Sequence, residues 1–203
     1  MRAAMARVNT PVYGAAMTDR LTPADWIGHG LDTLARNGPN ALKVGAMAAG
    51  LNVSRGSFYW HFRDIGDFRD QLLRAWLEET TEQVIARIEA AAPGPDRLKA
   101  LLRGAFVTRP GLASASRSFA AEGAIRAWAA EDPAVAAMVA AVDERRIGYI
   151  AGELAAAGLH HKTALGRATF LYWAYLGAAR AMNGGDGAVD MAAIDDIAAL
   201  FLR

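Results

Sequence analysis

Between Thr22 and Gly38 the apolar residues Trp26, Ile27, Leu31 and Leu34 recur at the three- and four-residue spacing of one helix face. Both ends of that helix are marked. Thr22 stands as an N-cap, Pro23 at the first helical position and Asp25 at the third, and Leu21 is placed to staple against Trp26. Arg36-Asn37-Gly38-Pro39 stops it. A second, shorter helix runs from about Val44 to Ala49. Gly50-Leu51-Asn52-Val53 follows, with Asn52 suited to the left-handed backbone of a tight turn, and Ser54 then caps a third helix through about His61. Two short helices joined by such a turn form a helix-turn-helix pattern. Beyond Asp64 the helical period continues over roughly 66–91, 96–108, 114–131, 134–157, 161–182 and 190–202. Pro93-Gly94-Pro95, Arg109-Pro110-Gly111, Asp132-Pro133, Gly158 and Asn183-Gly184-Gly185 punctuate it. The pattern predicts an all-α chain: a flexible arm over 1–20, a three-helix unit over 21–65 and a helical bundle over 66–203. Packed helices rather than a tether should cross the boundary near residue 65.

Composition narrows the function classes. At 203 residues and 53% hydrophobic, the chain can bury a sizeable core. It has no cysteine, so disulfides and thiolate chemistry are excluded and an intracellular, cytoplasmic setting is expected. Met1 to Arg20 lacks the apolar core of a signal peptide, and the longest apolar run, Ala168 to Ala179, is shorter than the roughly 20 residues of a membrane span. The net charge of +1 hides an asymmetry. Residues 1–65 carry seven Lys/Arg against four Asp/Glu, and the remainder carries 15 against 17. A basic N-terminal third is compatible with nucleic acid.

The stretch SRGSFYWHF, Ser54 to Phe62, concentrates the candidate chemistry. Steps of about 100° per residue put Phe58 and Phe62 on one helix face and Trp60 opposite, beside Gly56 and Ser57. Arg55, Tyr59 and His61 fall on the flanks. If the two phenylalanines are core, the opposite face points outward. Its glycine then permits close approach, and Ser57 and Arg55 can reach base edges. Tyr59 and His61 can donate to phosphate oxygens. Periodicity alone leaves open an alternative in which Trp60 packs beneath another helix.

LKVGAMAAGLNVSRGSFYWHFRDIGDF, Leu42 to Phe68, resembles the DNA-binding domain of TetR-type transcriptional repressors. The specific part is Ala48, Leu51-x-Val53-Ser54, Gly56 and Phe58-Tyr59-x-His61-Phe62, and the close likeness covers about residues 21–75. Two positions depart from the family pattern. Asn52 replaces the usual turn glycine, and Ile65 stands where a phosphate-binding lysine is usual, so one phosphate contact is missing unless Arg63 replaces it. The resemblance implies a homodimer that sets two recognition helices in successive major grooves, about 34–36 Å apart, on a pseudo-palindromic double-stranded DNA operator. It implies Arg55, Gly56, Ser57 and Trp60 at base edges, and Thr22, Lys43, Ser54, Tyr59, His61 and Arg63 at phosphates. It also implies repression relieved by a small apolar or amphipathic effector that swings the fourth helix.

The C-terminal bundle should then supply dimerisation and effector binding. Gly166, Ala174, Gly177, Ala178 and Ala181 allow close helix approach, and Met191, Ile194, Ala198 and Phe201 form an apolar stripe. These are the expected dimer contacts, with packing inside one chain as the alternative. Phe106, Phe119, Trp128, Met138, Tyr149 and Trp173 are candidate pocket walls, although any single aromatic on a helix is usually core. Glu122 and Arg126, four apart, read first as a structural pair and second as effector-facing groups, with Arg126 the specificity residue.

Enzyme readings find little support. Glu-x-x-His pairs, a His-Glu-x-x-His metal spacing, a P-loop and a dinucleotide glycine fingerprint are all missing, so no metal and no cofactor are expected. A second alternative is a helical small-molecule or protein-binding module that has lost tight DNA binding, which Ile65 alone favours.

Overall fold

The computed structural model describes residues 21–92, 94, 96–106, 113–181 and 191–202, without the side chains at 106, 113–119, 179, 181 and 191. The expected arm over 1–20 lies outside the described residues. Helix α1 spans Pro23–Asn37, and a 3-10 turn spans Pro39–Ala41. Then come α2 (Val44–Gly50), α3 (Arg55–Tyr59) and α4 (Ile65–Leu77). A π-helical turn, Glu78–Glu82, runs into α5 (Gln83–Ala91). The remaining helices are α6 (Asp96–Phe106), α7 (Ala113–Ala129), α8 (Pro133–Ala156), α9 (His161–Ala181) and α10 (Met191–Leu202). The chain is all-α, and no strand occurs among the described residues.

Local chemistry explains the boundaries. The Thr22 backbone N–H donates to Asp25 Oδ2 at 2.7 Å, and Asp25 N–H donates back to Thr22 Oγ1 at 3.3 Å, closing a capping box. Asp64 caps α4 by accepting from Asp67 N–H at 2.8 Å, and Asp132 caps α8 by accepting from Ala134 N–H at 3.0 Å. Asn52 is left-handed, with φ of 55°, as the turn demands. Two expectations change. The third helix ends at Tyr59 rather than His61, because the His61 and Phe62 N–H groups both close on Phe58 C=O at 3.0 Å. The long helix over 66–91 is interrupted by the π turn, which the buried side chains described below hold in place.

Two clusters make the core. One joins α1, α2, α3 and α4 to α7 and the first half of α8, through Trp26, Phe58, Phe62, Phe68, Trp76, Ile125 and Val139 among others. The other joins α6, α8, α9 and α10. Residue 65 begins a helix inside the first cluster, so the DNA-type head shares its core with the bundle. Gly30 shows how close the contact is: a Cβ there would lie 2.5 Å from Phe68 Cζ and 2.8 Å from Leu72 Cδ1, on α4. Gly30→Ala is therefore expected to cost about 1–3 kcal/mol by overpacking. Urea unfolding of the purified variant measures it, and an unchanged midpoint would count against this α1–α4 contact.

Candidate nucleic-acid interface and bundle interior

The short α3 is anchored by aromatic packing. Phe58 is fully buried, with its ring centroid 5.4 Å from Trp26, 5.0 Å from Phe62 and 5.6 Å from Phe68. This cluster fixes the rotation of α3. Trp60 is consequently 77% exposed, and Tyr59 is exposed on the flank with its ring edge-on to Phe58 at 5.4 Å. Ser54, Arg55 and Gly56 are exposed, and Ser57 and His61 are half-buried. Lys43, at the N-cap of α2, is exposed beside them.

Three details were not legible in the residue pattern. A Cβ on Gly45 would lie 2.7 Å from an Arg55 terminal nitrogen, so the guanidinium of Arg55 rests against the start of α2. Thr22 Oγ1 donates to Asp25 Oδ2 at 2.7 Å, which commits its proton to the capping box. The Asp25 carboxyl is held below the usual range, first by the Thr22 backbone N–H and then by its hydroxyl. Arg63 donates through its backbone N–H to Asp67 Oδ2 at 2.9 Å, with its guanidinium 3.4 Å from Oδ1. Ile65, at the usual lysine position, is half-buried against the first core cluster.

The expected pocket residues are placed as follows. The side chains of Phe106 and Phe119 lie outside the described residues. Trp128 and Met138 line a groove between α4 and the α7–α8 junction. Tyr149 is half-buried on α8, and its hydroxyl has no partner among the described residues. Burial, then Glu153 and Glu89, push that phenol up. Trp173, expected as a pocket wall, stands 65% exposed on α9.

Arg126 belongs to a buried polar network rather than to an open pocket. Its Nε donates to Glu122 Oε1 at 2.8 Å, as the pairing of Glu122 with Arg126 anticipates. It also donates to Asp143 Oδ2 at 3.1 Å and to the Tyr172 hydroxyl at 2.7 Å. The sequence reading missed the centre of this network, Arg146. Its Nε donates to Thr81 Oγ1 and its Nη2 to Thr80 Oγ1, both at 2.8 Å, while Nη1 reaches Glu122 Oε1 at 3.1 Å. Trp76 Nε1 donates to Glu122 Oε2 at 3.2 Å. Thr80 Oγ1 donates to Trp76 C=O at 2.6 Å, a carbonyl on the helical ladder just before the π turn. Arg146 also lies 5.5 Å from the Trp76 ring centroid and 6.0 Å from that of Tyr175. Burial alone would lower both arginines. Glu122 and the neighbouring tyrosines hold Arg146 above its ordinary value, and the Asp143 hydrogen bonds with the Glu122 charge do so for Arg126. Burial, followed by the Glu122 charge, pushes the Tyr175 phenol up to about 12. The network bolts the middle of the α4–π–α5 rod to α7, α8 and α9.

The expected dimer residues divide. Gly166, Ala174 and Gly177 are exposed on α9, Ala178 is half-buried, and the side chains of Ala181 and Met191 lie outside the described residues. Ile194 and Ala198 are corrections. Both are buried against α6 and the second core cluster, because α10 turns its stripe inward. Phe201 is half-buried and stacks on Phe170 at 6.1 Å. The face left open is instead Leu165, Phe170, Trp173 and Leu200, with Phe170 62% exposed.

No helix among the described residues is long and apolar enough to cross a membrane, and none of them form a group of three or more potential metal ligands. Residues 29–72 match the family model for bacterial regulatory proteins of the tetR family. Among solved structures, the chain resembles a transcriptional regulator from Rhodococcus sp. Rha1, with a TM-score of 0.70 at 18% identity over 90% of this chain and 94% of that one. It resembles a protein from Saccharomonospora viridis in complex with choline, with a TM-score of 0.68 at 18% identity over 89% and 94%. It also resembles the ketosteroid transcriptional regulator KstR2 of Mycobacterium tuberculosis, with a TM-score of 0.62 at 17% identity over 95% and 97%. No curated protein matches the chain. The head matched by that family model carries the left-handed Asn52 turn and the outward Trp60, and the helical fold that continues behind it resembles those of solved transcriptional regulators.

Proposed function

We propose that the protein is a dimeric, ligand-responsive repressor that binds a pseudo-palindromic operator and leaves it when a small apolar or amphipathic effector occupies the bundle. The observation that carries this reading is the split of α3: Phe58 and Phe62 are buried while Trp60 is 77% exposed. A large aromatic held out at the end of a helix that offers Arg55, Gly56 and Ser57 suits insertion in a major groove. Tyr59, His61, Lys43 and Ser54 are near enough to this face to hold phosphates, and Arg63 stands in for the lysine that Ile65 replaces. The apolar face of Leu165, Phe170, Trp173 and Leu200, with Gly166, Ala174 and Gly177 between, supports pairing with a second copy through α9 and α10. A cytoplasmic setting follows from that role.

The network supports a route for the response. An effector that binds better when Arg146 releases Thr80 and Thr81 will favour a different α4 position, and α4 carries Phe68 and Leu72 against Gly30 in the head. The test is fluorescence anisotropy with the DNA upstream of the protein's own gene, titrated with salt. Affinity should fall steeply with salt, as phosphate contacts require. Affinity for that DNA no better than for random DNA would favour the alternative of a binding module that has lost its operator.

The reading separates two kinds of variant. Arg55→Ala should relax specificity by about 1–3 kcal/mol at one base pair, whereas Lys43→Ala and Tyr59→Phe should weaken all sequences alike. Competition against single-base operator variants distinguishes them. An Arg55→Ala loss spread evenly over every sequence would count against base readout.

A further inference from the structure

A groove between α4 and the α7–α8 junction lies outside the polar network. Leu73 of α4, Trp128 at the end of α7, and Val135 and Met138 of α8 make the apolar part of a groove whose volume is 330 Å³. That lies within the roughly 300–1,000 Å³ range of small-molecule sites, near its lower end. Arg69 and Arg74 stand along its α4 side. Neither forms an ion pair with any described residue. Arg69 is stacked over Trp128, its guanidinium carbon 5.6 Å from the ring centroid, and its Nε is buried with no acceptor among the described residues. A buried donor without an acceptor is costly, and a bound water, ion or ligand group would relieve that cost. Two carboxylates share the groove. Asp132 is spent on capping α8, and Asp70 is exposed on the rim.

We propose that this groove binds a compact amphipathic carboxylate, with its anionic end on Arg69 and Arg74 and its apolar body against Trp128, Leu73 and Met138. A guanidinium edge and a carboxylate form paired, charge-assisted hydrogen bonds, and these supply the acceptor that Arg69 Nε lacks. The 330 Å³ volume limits the body to about one or two fused rings or a short acyl chain. The occupant touches α4 on one side and the α7–α8 junction on the other. It therefore fixes α4 relative to the bundle and, through Phe68 and Leu72, the head. Binding itself stands apart from the repressor reading; only its consequence at DNA rests on it.

The probe is 1-naphthoate, with the neutral 1-naphthamide as its control, titrated into the full-length protein by calorimetry. The Trp128 indole signal is followed by NMR. Naphthoate should bind and shift that signal, and the amide should bind at least about tenfold more weakly, a difference of about 1.4 kcal/mol. Arg69→Gln and Arg74→Gln should each lower naphthoate affinity while leaving the melting profile of the unliganded protein unchanged. Equal binding of acid and amide, an unmoved Trp128 signal, or no binding up to about 10 mM overturns the site. Anisotropy on the upstream DNA separates the two readings. Operator binding that naphthoate leaves untouched, despite Trp128 binding, refutes the coupling to the head. Naphthoate binding to a protein that ignores the operator retains the site and refutes the repressor.

Discussion

Replacing Arg146 by methionine is expected to lower the unfolding free energy by about 3–5 kcal/mol, because it strands a buried charge. Glu122 is only 3% exposed and receives both terminal nitrogens of Arg146. Methionine fills much of the volume but donates nothing. Thr81, equally buried, loses its donor from Nε at the same time. Arg126 keeps one bond to Glu122 at 2.8 Å, which puts the expected loss at the lower end of the range. Adding Glu122→Leu should restore part of the stability, since Arg126 retains Asp143 and Tyr172 while the stranded carboxylate is gone. Chemical denaturation at one fixed protein concentration measures all three proteins, because the dimer proposed above would make stability concentration-dependent. A loss under about 1 kcal/mol for Arg146→Met would mean that water reaches this network. In the double variant, no recovery at all would assign the loss to packing against Trp76 and Tyr175 rather than to charge.

The second large effect separates Phe58, on α3, from Trp60, the residue that caps that helix. Phe58→Ala should cost about 3–5 kcal/mol, the usual cost of emptying a fully buried aromatic site. It removes the ring that touches Trp26, Phe62 and Phe68 together. Trp60→Ala should change stability by no more than about 0.5 kcal/mol, as exposed positions do. DNA affinity should fall in both variants, but for different reasons. For Trp60→Ala the loss should persist at temperatures far below unfolding. For Phe58→Ala it should track the folded fraction of the head. Melting curves beside anisotropy on the same samples decide it. A Trp60→Ala variant that melts several degrees lower would return Trp60 to the core.

The head was legible because its rules are local. Thr22-Pro23-x-Asp25 specifies a helix start by hydrogen bonds within three residues, and Asn52 specifies a turn by its own backbone preference. The opposition of Phe58 to Trp60 follows from helical geometry alone, once one of the two is known to be inside. Even so, the pattern could not exclude an inward Trp60, and only the ring contacts of Phe58 decide the rotation. The bundle was less legible for the same reason. Trp173 and Ile194 are both apolar residues on apolar helices, and nothing nearby in the chain says which faces a neighbour. α9 leaves Trp173 outside, while α10 turns Ile194 against α6.

Arg146 did leave a signal in the chain. Val135, Val139, Val142, Arg146 and Ile150 occupy one buried face of α8, so an arginine interrupts an apolar stripe. A charge at a core position needs a partner, but the pattern cannot name one. Glu122, Thr80 and Thr81 lie 24, 66 and 65 residues away. Residue spacing alone sets the helical class, the capped first helix, the helix-turn-helix and the face of α3 opposite Phe58, since each depends on neighbours within a few residues. Long-range packing settles where Arg55 rests, which aromatics stay outside, how the π turn is held and where Arg69 Nε is left without an acceptor among the described residues. Those depend on which distant side chains meet, and burial free energy rewards any apolar partner without specifying which one.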